Sequence, residues 1–176
     1  MKSDIKWKKI QDKWIKRWNE SKIFEIDINE NKKKYFLTVA YPYPNSPQHI
    51  GHARTYTLAD INARYKRMKG YNVLFPMGFH YTGTPILAMA KRLESGDSDL
   101  IATFRNIYKV KESTLKKFIE PIEIANYFHQ EIKQGMINIG YSIDWRREFT
   151  TIDQPYNKFI EWQFRQLKSK GHISQG

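Results

Sequence analysis

The sequence predicts an α/β protein built on a parallel sheet, and three observations carry that prediction. The run Tyr35-Phe36-Leu37-Thr38-Val39-Ala40 is rich in aromatic and β-branched residues and reads as a buried strand. Ile50, Ala53, Thr57, Leu58, Ile61, Tyr65 and Met68 follow at helical spacing, until Gly70 stops a helix of about 48–69. A second apolar run, 72–76, then reads as a strand. Strand, helix and strand of these lengths make a right-handed parallel crossover. Sheets of this kind bind ligands outside the carboxyl ends of their strands. The loops 41–47 and 77–84 both lie there, so they are expected to meet in one crevice.

The remaining elements follow in chain order. Residues 5–20 place Trp7, Ile10, Trp14 and Trp18 three and four apart with lysines between them, an amphipathic helix. Such a pattern serves either a basic nucleic-acid surface or a helix docked by its tryptophans. Docking is favoured, because the tryptophans share one face. Residues 20–34 are a polar connection with a short Ile23-Phe24 contact, and Lys32-Lys33-Lys34 is a solvated turn. The loop 41–47 carries Pro42, Pro44 and Pro47, which forbid helix and strand alike. Ser46 before Pro47 is the expected start of the following helix.

Thr84-Pro85 opens a short helix to about Leu93, with Ile86, Ala90 and Leu93 inward and Gly96 as its end. Residues 97–134 are helical, broken at Pro121, with Ile124, Phe128 and Ile132 inward and Gly135 closing the segment. Asp144 to Thr151 reads as a third strand with its approach. A last helix starts at Asp153 and Pro155, carries Phe159, Trp162, Gln163 and Leu167, and stops at Gly171. The expected units are 1–34, helix and connection, and 35–176, the sheet-bearing domain.

Composition bounds the rest. In 176 residues, 40% apolar content with 15% aromatics fills a core, which argues against disorder throughout. Thirty basic against 18 acidic residues give +12, favouring a polyanionic partner, nucleic acid before membrane. A composition rich in solvated lysines gives the same figure, so charge alone does not decide. The chain has no cysteine, which excludes disulfides and thiolate zinc sites. No apolar run approaches membrane-span length and Met1 to Trp7 holds no signal-peptide core. A cytoplasmic protein without membrane contact is expected.

The stretch Tyr41-Pro42-Tyr43-Pro44-Asn45-Ser46-Pro47-Gln48-His49-Ile50-Gly51-His52 holds the candidate chemistry. Free amides at a helix start bind phosphate, and two imidazoles three residues apart add donors that can follow developing charge. Gly51 between them lets a flat ring approach the backbone. His49 and His52 could also begin a metal site, but no third ligand sits at a completing distance along the chain, and none is expected.

Pro42 to His52 resembles the "HIGH" signature of class I aminoacyl-tRNA synthetases. The same stretch, together with Tyr71-Asn72-Val73-Leu74-Phe75-Pro76-Met77-Gly78-Phe79-His80-Tyr81-Thr82-Gly83-Thr84-Pro85, is similar to the archaeal and eukaryotic branch of the leucyl-tRNA synthetases. Asp144-Trp145-Arg146-Arg147-Glu148-Phe149-Thr150-Thr151 is similar to the segment that closes the first half of the nucleotide-binding domain there. The resemblance runs from about Ile10 to Gly171 and covers only the N-terminal part of the family protein.

It implies the first half of a split, doubly wound, Rossmann-like sheet of class I synthetase type, cut before the editing insertion. It implies ATP-dependent activation of leucine to leucyl-adenylate and transfer to tRNA(Leu), with Mg²⁺ held by the ATP phosphates and water. His49 and His52 become the catalytic donors. Pro42, Tyr43, Pro44, Asn45, Ser46, Pro47, Gln48, His49, Ile50, Gly51 and His52 form the ATP-binding stretch, with Gly51 against adenine. Tyr41, Tyr43 and His80 become amino-acid-binding residues. His80 departs from bacterial relatives, which place an aspartate there for the substrate ammonium; neutral imidazole supplies no negative charge. Asp144 and Trp145 are expected to pack and orient.

The family's Lys-Met-Ser-Lys-Ser signature, its editing domain and its anticodon-binding domain are absent from these residues. The chain alone is therefore expected to be nearly inactive, with the missing half a possible separate partner. An isoleucyl- or valyl-tRNA synthetase segment remains open, as does a non-catalytic basic nucleotide- or RNA-binding module. The Phe79-His80-Tyr81-Thr82-Gly83 loop argues for leucine.

Overall fold

The computed structural model describes residues 5–175. Residues 1–4 and 176, which enter the N-terminal reading and the outer limits of the two expected units, lie outside them. The element order is α1 (Trp7–Glu20), β1 (Lys34–Phe36), α2 (Ile50–Met68), β2 (Asn72–Leu74), β3 (Gly78–Phe79), α3 (Thr84–Glu94) and α4 (Ser98–Ala102). A π-helical turn (Thr103–Ile107), α5 (Glu112–Leu115), α6 (Pro121–Ile139), a 3₁₀ turn (Trp145–Arg147), β4 (Phe149–Thr150) and α7 (Gln154–Ser169) follow.

The parallel crossover is present: β1 pairs with β2, Tyr35 opposite Val73. The expected three-stranded sheet is instead two parallel two-stranded ladders, β1–β2 and β3–β4. The extended run 72–80 serves both. Its first part pairs with β1, and the Leu37 amide continues that ladder onto the Leu74 carbonyl at 2.9 Å. Its second part pairs with β4, after the Asp144 amide has bonded the Phe75 carbonyl at 2.9 Å. Pro76 has no amide to give, which is one physical reason the ladder breaks there.

β1 ends at Phe36 rather than at Ala40, and it is half-buried rather than buried. Tyr35, Leu37 and Val39 turn inward while Phe36 is 63% exposed, the alternation of a strand with one open face.

The core has two parts joined along α6. Val73, Phe75, Met77 and Phe79 pack with Tyr56, Ala63, Ile132, Met136 and Ile143. Ile86, Ala90 and Leu93 of α3 pack with Phe104, Phe118, Ile124 and Phe128. The inward stripes expected of α3 and α6 are therefore found. α6 does not stop at Gly135, however: it runs to Ile139 and ends on Gly140, whose φ of 84° is the left-handed conformation glycine tolerates. A Cβ on Gly140 would also stand 2.9 Å from the Trp18 ring.

That close approach shows how α1 docks. Trp18 and Ile15 face Gly140, and Gln11 reaches the Asn138 carbonyl. Residues 11, 15 and 18 form the seam, so Trp7 (70% exposed) and Trp14 (43%) lie on its shoulder, not in the core. The expected docking by all the tryptophans holds for Trp18 alone.

α2 docks through Tyr56, Ala63 and polar groups rather than through its expected apolar stripe. Leu58, Ile61, Tyr65 and Met68 are exposed, whereas Asp60 is buried. Asp60 accepts from the Ser142 amide at 2.6 Å and from Arg64 Nε at 2.7 Å. Arg67 donates to the Ser142 carbonyl at 2.9 Å, and burial lowers its pKa to about 10. α7 has no buried residue, and Phe159, Trp162 and Leu167 are exposed along it.

Candidate functional site

The helix at the centre of the site begins later than Ser46-Pro47 suggests. Its N-cap is His49, with extended backbone at φ −103°, ψ 173°. His49 Nδ1 accepts the Gly51 amide at 3.1 Å, and His52 Nδ1 accepts the His49 amide at 3.3 Å. The two histidines thus form a reciprocal capping box, in a role Ser and Glu usually fill. The serine hydroxyl is not needed because the imidazole acceptors already satisfy the first amides.

This cap fixes the chemistry of both rings. A neutral imidazole has one bare nitrogen and one N–H. With Nδ1 accepting in each ring, the proton sits on Nε2, and each histidine keeps one donor for a ligand. The ring centroids stand 4.0 Å apart. Burial, and then the neighbouring His49, lower the His52 pKa, which favours this neutral form. Gly51 is required by the same geometry: a Cβ there would meet His49 Cε1 at 2.8 Å.

The prolines place the loop that leads into this helix against the second loop. Pro42 and Pro44 are buried, and the His80 amide donates to the Pro42 carbonyl at 2.9 Å. Loops 41–47 and 77–84 therefore adjoin, as expected. The Tyr43 and His80 rings meet edge-on with centroids 4.4 Å apart. Gly83, at φ 108°, brings its backbone beneath Tyr43. Tyr41 packs differently: its ring lies edge-on to Phe149 at 5.1 Å and against Gly78, where a Cβ would meet Phe149 at 2.7 Å.

Asn45, Ser46 and Pro47 form the half-buried turn before the cap, and Ile50 is 87% exposed beside it. Gln48 turns its side chain to Tyr56, whose hydroxyl also reaches the Ala40 carbonyl at 3.4 Å; burial raises the Tyr56 pKa. A cavity of about 310 Å³ opens between this turn and α6, lined among others by Pro47, Gln48, His49, Ala53, Met136 and Tyr141. Among the described residues, no group of three or more metal-ligating side chains is clustered. No described helix is long and apolar enough to cross a membrane.

Asp144 packs and orients. It is 1% exposed and accepts from the Ile26 amide and from Arg146 Nη2, both at 3.0 Å. Burial opposes its charge, but the Arg146 guanidinium and the amides outweigh that, and its pKa is lowered. The connection after α1 is tied to the 3₁₀ turn in this way.

Sequence reasoning missed His129, Glu148 and Thr151, which meet behind the His80 loop. The only signal for His129 was its place directly after Phe128 in the inward stripe of α6.

Known proteins resemble the chain over nearly its whole length. The family described as tRNA synthetases class I (I, L, M and V) matches residues 13–176. Leucine–tRNA ligase 2 of Sulfolobus acidocaldarius is 57% identical over 165 residues, 94% of this chain and 18% of the relative. The leucine–tRNA ligase of Pyrobaculum calidifontis is 50% identical over 167 residues, 95% of this chain and 18% of the relative. A solved Agrobacterium radiobacter LeuRS, in a ternary complex with tRNA and LeuAMS, matches with a TM-score of 0.67 at 25% identity, over 92% of this chain and 17% of that one. The chain thus spans less than a fifth of the length of these relatives. The two histidines that cap α2, the adjoining loops 41–47 and 77–84 and a family match over nearly every residue lead to one assignment: the chain belongs to the class I tRNA synthetases of the I, L, M and V group.

Proposed function

We propose that this chain contributes the phosphate-handling and amino-acid-binding loops of a leucine–tRNA ligase. The reaction joins leucine to ATP: a leucine carboxylate oxygen attacks the α-phosphorus, the bond to the β-phosphate breaks, and pyrophosphate leaves. The leucyl group then moves to the 3′ end of tRNA(Leu). The substrate is itself the nucleophile, so the protein supplies alignment and charge stabilisation. The observation that carries this reading is the reciprocal histidine cap, which leaves two Nε2–H donors at the positive end of α2.

In this reading His49 and His52 donate to the phosphates, and Pro42 to Gln48 with Ile50 shape the ATP side of the crevice. Gly51 packs against adenine. Tyr43 and His80 face the leucine, with Tyr41 behind them. Mg²⁺ comes with ATP, held by phosphates and water. The two ladders correspond to the first half of a split doubly wound sheet, with 1–34 as an N-terminal unit and 35–176 as the catalytic half-domain before the editing insertion. A cytoplasmic location follows from the reaction.

The similarity to leucine–tRNA ligases supports leucine over isoleucine and valine. The test is amino-acid-dependent exchange of pyrophosphate into ATP, in a full-length ligase carrying this sequence, with each of the three amino acids. His52→Ala should slow leucine-dependent exchange by about a hundredfold or more, the usual cost of losing one preorganised donor. Leucine affinity should change far less. Unchanged exchange would end the phosphate assignment, and no exchange from the unaltered protein would favour a non-catalytic binding module.

A further inference from the structure

Behind the His80 loop lies a chain of buried polar groups with no part in phosphate chemistry. His129 on α6 is 6% exposed and its ring stacks on Phe79, centroids 3.6 Å apart at 24°. Its Nε2 bonds Glu148 Oε1, and Lys133 holds the other Glu148 oxygen. Its Nδ1 stands 2.7 Å from the Tyr81 hydroxyl. A carboxylate only accepts, so Nε2 carries the proton. In the neutral ring Nδ1 is then bare and accepts a hydrogen bond from the Tyr81 hydroxyl. Asn126 Oδ1 lies 3.1 Å from that hydroxyl, but the hydroxyl has a single proton, and the shorter contact is the one that satisfies Nδ1.

Two more anchors hold the same loop. Thr151, 3% exposed, accepts the amides of Tyr81 and Thr82 on one oxygen, at 3.0 and 3.2 Å. The His80 amide is bound to Pro42. An apolar side chain at 129 would sit well against Phe79, and buried polar chains are seldom worth more than such a replacement. The polar residue gains one thing an apolar one lacks, a directed bond to Tyr81.

We propose that His129, oriented by Glu148 and Phe79, is a positioning residue for amino-acid recognition: through the Tyr81 hydroxyl it fixes the 80–83 loop and so sets the His80–Tyr43 wall. The proposal rests on the leucine-activation reading, and misplacement of such a wall by about an ångström costs on the order of tenfold to a hundredfold.

The experiment uses Tyr81→Phe, His129→Gln and the double variant in the full-length ligase, following pyrophosphate exchange with leucine, isoleucine and valine. Tyr81→Phe keeps the ring and removes only the hydroxyl. The leucine KM should rise about tenfold or more, with the ATP KM nearly unchanged. Because both groups act through one bond, the double variant should be no worse than the weaker single variant. His129→Gln, which can still donate to Glu148 and accept from Tyr81, should retain more leucine affinity than His129→Leu. An unchanged leucine KM in Tyr81→Phe, an equal rise in both KM values, or fully additive losses would overturn the relay while leaving the reaction standing. No exchange from the unaltered ligase with any of the three amino acids would overturn the reaction and the relay together.

Discussion

His52 holds His49 through the backbone: its Nδ1 accepts the His49 amide at 3.3 Å while the two rings stand 4.0 Å apart. The residue that caps the helix is thereby capped in turn, and the two free Nε2–H groups are products of that exchange. The family signature His-Ile-Gly-His has a local physical reason here. The third residue is glycine because the first folds its ring over the backbone at that point.

Gly51→Ala should therefore act through His49. The new methyl group would push the ring from its cap, lose the Gly51 bond and misplace one donor. Exchange should fall by roughly tenfold to a hundredfold, with leucine affinity changed much less. Exchange kinetics at varied leucine and ATP check the split.

Tyr43→Ala should do the reverse. The Tyr43 ring faces His80 and the Gly83 backbone and is still 42% exposed, which suits a wall that a ligand completes. Leucine binding should weaken by roughly 1–3 kcal/mol, the usual worth of a pocket contact. Equilibrium binding of leucine checks this; equal weakening of ATP would contradict the assignment.

Asp144→Ala tests the structural network. The change leaves the Ile26 amide and two arginines without their shared acceptor. Arg146 is partly exposed and recovers water, so the cost should be about 1–3 kcal/mol. Denaturant unfolding at neutral pH measures it, and proteolysis should open the connection near Ile26 first.

Stability should fall in two stages on acidification. Burial lowers the pKa of His129 below the ordinary 6.5, against the opposing pull of Glu148, and lowers that of His52 as well. The unfolded chain then binds more protons than the folded one just below that value, so stability is full above about pH 6.5 and declines beneath it. The Asp144 pKa is lowered from 3.8, so its share is full above that value and is lost as pH falls further. Thermal melts across pH 3–8, repeated with His129→Gln, should show the first stage flatten (pH range set by the ordinary pKa values).

The chain of 176 residues should associate when studied alone. Leu58, Ile61, Tyr65 and Met68 form one exposed stripe on α2, and Phe159, Trp162 and Leu167 another on α7. Apolar stripes of this size on a separate protein drive self-association. Light scattering over a concentration series checks it; a monodisperse monomer at all concentrations would contradict it.

The crossover of β1, α2 and β2 and the meeting of loops 41–47 and 77–84 were legible because both are local. Period-2 and period-3.6 patterns, prolines and glycines act within a few residues, and a parallel crossover has one favoured hand. The inward stripes of α3 and α6 followed for the same reason. What the sequence alone left undetermined was each element's partner. The apolar spacing of α2 promised a buried stripe, but the side that turns inward carries Tyr56 and Ala63 together with Asp60, Arg64 and Arg67, which bond Gly140 and Ser142. The tryptophans of α1 shared a face, yet Gly140 admits only Trp18 and Ile15. The split into two ladders depends on how run 72–80 passes from β1 to β4, through pairings 38 and 71 residues apart in sequence (Lys34 with Asn72, Gly78 with Phe149). His129, Glu148, Tyr81 and Thr151 are scattered in sequence, and no periodicity joins them. Only packing brings them behind His80, because hydrogen bonds between distant side chains follow the path of the folded backbone.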